Sequence, residues 1–437
     1  MSTRMLLDTA TPPDRAFLIQ VTPAGRDRDY ALLLAAELEH LAQGAGLQVV
    51  GSRLFSHRRV IPATFLGSGL VNELAEEVQA TQSAVVVFNS PLSAVQQRNL
   101  EVKLNAKVVD RTGLILEIFA ARARTREGRL QVELASMLYQ QSRLVRSWTH
   151  LERQRGGVGM RGGPGETQIE VDRRLLRERV HQLKKQLTQV EQTRALQRQA
   201  RREVPLFTVA LVGYTNAGKS TLFNHLSGAH VEAVDRLFAT LDPTLRQVIL
   251  PGGGRIILGD TVGFIRDLPH QLVAAFRATL EEVLEADLLL HIVDLADPEW
   301  ADQEAAVMEV LRELFQERGG VVEKRMLTLF NKIDQVDAPG LLERLRARPD
   351  THLLSALTGE GIPELLQILE TQANHSAPCF HLQLPVYEGA LLARLIREGC
   401  VLQKTEEGET IHLVVTLPVA VAGRLRRELE LFRAPAK

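Results

Sequence analysis

One spacing dictates more of this chain's fold than any other. Gly213, Gly218, Lys219 and Ser220 complete G-x-x-x-x-G-K-[ST] within FTVALVGYTNAGKSTLFNHLSG, residues 207–228. The apolar run before Gly213 reads as a buried strand, and the run from Lys219 onward has helical periodicity. A strand feeding a helix through such a turn belongs to a mostly parallel sheet with crossover helices. The glycines let backbone N–H groups wrap phosphates at the positive end of the helix. Lys219 is placed to neutralise the β- and γ-phosphates, and the Ser220 hydroxyl to ligate Mg2+.

Further motifs follow in a fixed order. RIILGDTVGF ends a strand in Asp260, then Thr261 and Gly263. A carboxylate there can hold the Mg2+ shell through water, and the Gly263 amide can sense a γ-phosphate. LTLFNKID supplies Asn331, Lys332 and Asp334. An aspartate so placed accepts both N–H donors on the Watson–Crick edge of guanine, whereas adenine lacks that amino group. HLLSALTG adds Ser355 and Ala356, whose backbone is placed to contact the base oxygen. Between the phosphate loop and Asp260 lies RLFATLDPT, with two candidate threonines for a switch that closes on Mg2+, Thr240 and Thr244. Thr240 is favoured, because F-x-T-L resembles the switch of related GTPases. The residue after Gly263 is Phe264, which cannot orient a water as a glutamine there would. Intrinsic hydrolysis is therefore expected to be slow and to depend on a partner or another group.

Around this core the chain changes character. Residues 17–120 alternate FLIQV, LQVVGSRL, AVVVF and AKVVD with helical patterns, the signature of a small α/β domain. From about residue 129 strand signals vanish. Leu130, Leu134, Leu138, Gln141, Val145 and Trp148 share one helical face. Leu176, Val180, Leu183, Leu187 and Val190 form a coiled-coil seam. Two helices flanking GGVGMRGGPGETQ suggest an antiparallel hairpin with a glycine-rich tip. That tip contains G-x-G-x-x-G, but a helical pattern precedes it and Pro164 and Gly165 then interrupt the chain, so the dinucleotide reading is discarded. The net charge of −1 conceals segregation: residues 143–202 hold fifteen Lys/Arg against six Asp/Glu. Such a segment is either a solvated helix face or a docking surface for a polyanion. The seam projects the tip outward and so favours RNA, with Arg153, Arg155 and Arg161 as its phosphate contacts. The two cysteines, Cys379 and Cys400, lack metal-ligand spacing and suit a reducing cytosol, although a disulfide between them stays open. No signal peptide or membrane span is read. Residues 376–437 read strand, helix, two strands, helix.

The run VDRTGLILEIFAARARTREGRLQVELA, the block LVRSWTHLERQRGGVGMRGGPGETQIEVDRRLL and the motifs above closely resemble the HflX family of ribosome-associated GTPases, over most of residues 60–372. The resemblance implies an α/β multi-domain chain. Its parts are an N-terminal α/β domain (1–128), a basic helical hairpin (129–204), a P-loop GTPase domain (205–374) and a small α+β C-terminal domain (375–437). It implies bound GTP or GDP with Mg2+. Gly213, Asn216, Ala217, Gly218, Lys219, Ser220 and Thr221 match the phosphate loop, and Thr240 the first switch. Asp260 and Gly263 match the second switch, and Asn331, Lys332 and Asp334 the base-reading motif. Lys219, Thr240 and Gly263 are the expected catalytic groups, and Ser220, Thr240 and Asp260 the metal shell. Asn216 resembles GTPases that recruit K+ beside the phosphates; tightening of the loop is the alternative. The family binds the large ribosomal subunit and separates stalled ribosomes under stress, which implies a cytoplasmic, monomeric protein. Two departures stand out. The tip carries Arg161-Gly162-Gly163-Pro164, one glycine more than the usual R-G-P-G-E-T, and Leu70 replaces a common lysine. A docking factor that does not split ribosomes, and a signalling GTPase with a protein partner, are the competing readings.

Overall fold

The computed structural model describes residues 14–23, 28–57, 60–154, 168–202, 207–228, 238, 244–266, 277–316, 322, 326–375, 379–417 and 419–434. They form two compact units: the first is built on the chain up to Val190 with Phe238 joined to it, the second on the two later sheets.

The first unit opens with β1 (Arg15–Pro23), α1 (Arg28–Gly44), β2 (Gln48–His57) and α2 (Ser68–Ala80). It continues with β3 (Val85–Phe88), α3 (Ala94–Leu104), β4 (Lys107–Asp110) and α4 (Arg111–Arg122). The sheet order is β2-β1-β3-β4 and every pair is parallel. Helices cover both faces of such a sheet, which is why β3 is apolar and buried at every position. Helix α4 has no separate start signal in the sequence. Asp110, the last residue of β4, caps it directly by accepting from the Gly113 N–H at 2.8 Å.

Helices α5 (Arg126–Gln154) and α6 (Gln168–Arg202) come next. Leu130 and Leu134 pack with Val180, Leu183 and Leu187, and Met137, Leu138 and Val190 flank them. The heptad seam read from α6 is therefore the buried side of a helix pair. Two side chains of α5 tie it to the β4–α4 junction. Tyr139 donates to Asp110 Oδ1 at 2.6 Å, while Arg143 donates to Asp110 Oδ2 at 2.7 Å and to the Leu92 carbonyl at 3.1 Å. Burial and the Asp110 carboxylate push the Tyr139 phenol above its ordinary range, so it stays a donor. Phe238 meets Phe119 of α4 edge-on, with centroids 4.6 Å apart.

The second unit contains β5 (Phe207–Gly213), α7 (Lys219–Ser227), β6 (Thr244–Ile249), β7 (Arg255–Asp260), α8 (Arg277–Glu285) and β8 (Leu288–Asp294). It continues with α9 (Trp300–Gln316), β9 (Met326–Asn331), α10 (Pro339–Arg346), β10 (Thr351–Leu353) and α11 (Ile362–His375). The sheet runs β10-β9-β8-β5-β7-β6, parallel except for β6. Leu211, Leu222, Phe223, Leu258, Leu290 and Leu329 lie in one core beneath the strand ends. A smaller sheet is made by β11 (Cys379–Pro385), α12 (Gly389–Glu398), β12 (Cys400–Glu407) and β13 (Thr410–Thr416), ending in α13 (Val419–Arg424) and α14 (Arg426–Leu431). Its order is β11-β13-β12, antiparallel throughout. Cys379 and Cys400 both pair with Thr416, from opposite sides. They are thus two strand spacings apart, about 9.6 Å, beyond disulfide reach. Register closes the possibility that composition left open.

Candidate nucleotide-binding site

The site is built at the carboxyl ends of β5, β7, β8 and β9, where open α/β sheets bind ligands. The loop leaving β5 needs its glycines for space. A Cβ on Gly213 would fall 2.3 Å from the Ile292 carbonyl oxygen. One on Gly218, whose φ is +94°, would fall 2.1 Å from Asn331 Nδ2. Between them Asn216 holds a left-handed backbone with φ 63°.

Asn331 explains why that approach must be close. Its Nδ2 donates to the Ala217 carbonyl at 2.8 Å, and its Oδ1 accepts from the Ala356 N–H at 2.9 Å. The side chain thus braces the phosphate loop against the loop carrying Ser355 and Ala356, both buried. Lys332, also left-handed at φ 64°, pairs its Nζ with Asp294 Oδ2 at 2.6 Å. Asp334 lies in a 3-10 turn, Ile333–Gln335, with its side chain exposed. A carboxylate held open beside a rigid loop suits a base edge with two donors.

At the phosphate end, Lys219 opens α7 and is buried. Its Nζ donates to the carbonyls of Gly213 at 3.1 Å and Tyr214 at 2.6 Å. Burial pushes the ammonium pKa down to about 8, and the nearby Asp260 charge opposes that shift. The Ser220 hydroxyl donates to Asp260 Oδ2 at 2.9 Å, and Asp260 is fully buried. Thr221 is half-buried in the same turn. Thr261 is anchored beneath, donating to the Leu211 carbonyl at 2.5 Å.

The segment after Asp260 is stitched to the phosphate loop. The Thr215 N–H donates to the Phe264 carbonyl at 2.7 Å, and the Phe264 N–H to the Gly213 carbonyl at 3.1 Å. The Arg266 N–H donates to Tyr214 Oη at 3.0 Å, and its guanidinium pairs with Glu299 at 2.6 Å. Gly263 faces Thr215 and Lys219 closely: its absent Cβ would stand 2.8 Å from Thr215 Cγ2 and 3.1 Å from Lys219 Nζ.

The family description "50S ribosome-binding GTPase" matches residues 208–332 of this chain. "GTP-binding GTPase N-terminal" matches 34–120, and "GTP-binding GTPase Middle Region" matches 122–201. The GTPase HflX of Magnetococcus marinus is 59% identical over 425 residues, 97% of each chain. The chain belongs to the HflX family of GTPases. The HflX of Escherichia coli is 47% identical over 399 residues, 90% of this chain and 91% of that one. Among solved structures, a GTP-binding protein from Sulfolobus solfataricus in complex with GDP aligns over 82% of this chain and 98% of that one. Its identity is 21% and its TM-score 0.45. Among the described residues of this HflX-family GTPase, no helix is long and apolar enough to cross a membrane.

The fold brings together most of the residues singled out from the sequence. Gly213, Ala217, Gly218, Lys219, Ser220, Asp260, Gly263, Asn331 and Ala356 share direct contacts or immediate neighbours. Thr240, Arg155 and Arg161 lie outside the described residues, and Arg153 is placed only as part of α5. The alternative switch threonine, Thr244, opens β6 and pairs in register with Asp260. Three neighbours carried no motif. Tyr214 and Thr215 occupy variable positions of the phosphate loop, where spacing says nothing. Asp294, which holds Lys332, was signalled only as the polar end of the apolar strand LLLHIVD.

Proposed function

We propose that this HflX-family GTPase binds the large ribosomal subunit through its basic hairpin and uses GTP to dissociate stalled or idle ribosomes, in the cytoplasm and as a monomer. The observation that carries the reading is the union, in one chain, of a guanine-nucleotide site with a long helix pair whose segment 143–202, with a glycine-rich stretch within it, holds fifteen Lys/Arg against six Asp/Glu. The match of residues 208–332 to a family described as ribosome-binding supports the choice of partner. The parts at 1–128, 129–204, 205–374 and 375–437 then act as scaffold, probe, motor and accessory module.

Within the site, each residue has a task that its contacts support. The amides of residues 216–221 surround the phosphates at the start of α7. Lys219 exchanges its two carbonyl partners for the β- and γ-phosphates, whose charge favours the ammonium form that burial disfavours. Ser220 Oγ and the buried Asp260 carboxylate, 2.9 Å apart, form an all-oxygen donor pair of the kind Mg2+ takes. When bound, that ion neutralises charge between the two terminal phosphates. Thr240 completes this shell from the first switch, and the Gly263 amide reads the γ-phosphate. Asp334 selects guanine, and Asn331 keeps the base and phosphate loops in register; the Ala356 and Ser355 N–H groups expected from the sequence to meet the base oxygen are instead taken by Asn331 Oδ1 at 2.9 Å and by the Glu360 carbonyl at 2.9 Å. Asn216, already left-handed, presents its side chain for K+ beside the phosphates.

Sucrose-gradient sedimentation of vacant ribosomes with purified protein and GTP tests the whole reading. Free subunits should rise several-fold over a GDP control. Cosedimentation with intact ribosomes instead would establish a docking factor, the second reading. Equal hydrolysis rates in KCl and NaCl, with and without ribosomes, would remove the role given to K+.

A further inference from the structure

Phe264 leaves a gap in the reaction: nothing on its side chain can orient the attacking water. The residue bonded directly to it can. Thr215 gives its N–H to the Phe264 carbonyl at 2.7 Å, so residues 215 and 264 are fixed against each other at the phosphate end of the site. Its side chain abuts Gly263, whose missing Cβ would lie 2.8 Å from Thr215 Cγ2 and 3.1 Å from Lys219 Nζ. Thr215 therefore stands beside both the amide that reads the γ-phosphate and the ammonium that neutralises it.

The chemistry of the side chain is the second observation. Thr215 is 5% exposed, and among the described residues its Oγ1 is shielded and has no hydrogen-bond partner. A buried hydroxyl without a partner is a net cost to the fold, and valine would fill the same volume without that cost. The neighbouring hydroxyls of the site are engaged: Ser220 with Asp260, and Thr261 with the Leu211 carbonyl. The Thr215 hydroxyl is buried and unbonded among the described residues, on a side chain packed against Gly263, the residue before Phe264.

We propose that Thr215 Oγ1 positions the attacking water for GTP hydrolysis. It accepts a hydrogen bond from the water and donates one to a γ-phosphoryl oxygen. The water oxygen bonds to the γ-phosphorus as the bond from that phosphorus to the GDP leaving oxygen breaks, and the water's proton passes to a γ-phosphoryl oxygen. Thr215 undergoes no net change. This rests on the nucleotide site proposed above and adds to it the group that orients the nucleophile.

Single-turnover GTP hydrolysis by the full chain, at fixed KCl and Mg2+, tests it with Thr215→Val and Thr215→Ser. Thr215→Val should slow the chemical step at least tenfold, with GDP affinity within threefold of native and an unliganded melting temperature equal to or above native. Thr215→Ser should return the rate to within threefold. A Val variant that hydrolyses within threefold of native overturns the proposal. So does equal loss in both variants, or a rate loss matched by lost GDP affinity, since either means a packing role. The native GDP affinity, read alongside, separates the two levels: absent native GDP binding would overturn the nucleotide-site reading itself, and with it this one.

Discussion

His291 shows how a single residue can carry a cost that the sequence pattern hides. It sits in mid-strand in β8, 1% exposed, with Nδ1 unpartnered among the described residues. Burial first, then the charges of Arg348 and Lys219, hold its pKa down to about 4, against 6.5 for the free side chain. The unfolded chain therefore binds the extra proton between those values. The associated stability is fully present above pH 6.5 and is lost as pH falls towards 4. By pH 5 the loss amounts to about 2 kcal/mol. His291→Val should thus flatten the fall in melting temperature between pH 7 and pH 5, measured by calorimetry; an unchanged pH profile would show that the imidazole is accommodated when charged. Gly218 is the opposite case, a residue whose role the spacing announced. Gly218→Ala forces a Cβ to within 2.1 Å of Asn331 Nδ2 at a positive φ, and should weaken GDP binding tenfold or more in titration calorimetry. Asp334→Asn should shift preference from guanosine to xanthosine nucleotides, because the amide can donate to the xanthine oxygen where the carboxylate accepted from the guanine amine. Motif residues are legible because their chemistry fixes both type and spacing. Thr215 was not, because the motif leaves its position free and only the fold brings it to Gly263.

Secondary-structure elements were legible where one physical rule dominated. Strands β1 to β4 announced themselves as short β-branched runs between helical patterns, and the α6 seam as a 4-3 repeat of apolar residues. Helix α4 is not legible because it begins directly after Asp110, the last residue of β4, with no loop to punctuate the change. The C-terminal segment read as one helix is two, α13 and α14, divided at Leu425. The seam also yields a test of its own. Leu183 is fully buried between the hairpin helices, whereas Leu175 on the same helix is 54% exposed. Leu183→Ala should destabilise the hairpin by about 2–5 kcal/mol, and Leu175→Ala by under about 0.5 kcal/mol. Hydrogen exchange across α5 and α6 reads this locally, which matters in a chain whose two units need not unfold together. Equal protection in both variants would mean that the apolar repeat is not the hairpin's source of stability.

At the scale of the molecule, composition alone misleads. A net charge of −1 describes a nearly neutral protein, yet fifteen basic against six acidic residues fall within 143–202. Nor does any periodicity pair Phe119 with Phe238, which lie in different stretches of sequence and meet only through the fold. The sequence does carry, at this scale, the sign and place of the charge, and that is enough to specify an experiment. If the hairpin tip tracks an RNA backbone, replacing Arg153, Arg155 and Arg161 together by alanine removes interactions whose free energy comes from counterion release. Affinity for the large subunit should fall, and the log–log slope of binding against KCl should flatten by about 1 for each phosphate no longer neutralised. Guanine-nucleotide affinity, set in the second unit, should stay within twofold. A partner that is protein rather than RNA would give a different result: binding weakens with the slope almost unchanged, because few counterions are released when side chains pair across a protein interface. The slope, more than the affinity, decides what the hairpin touches.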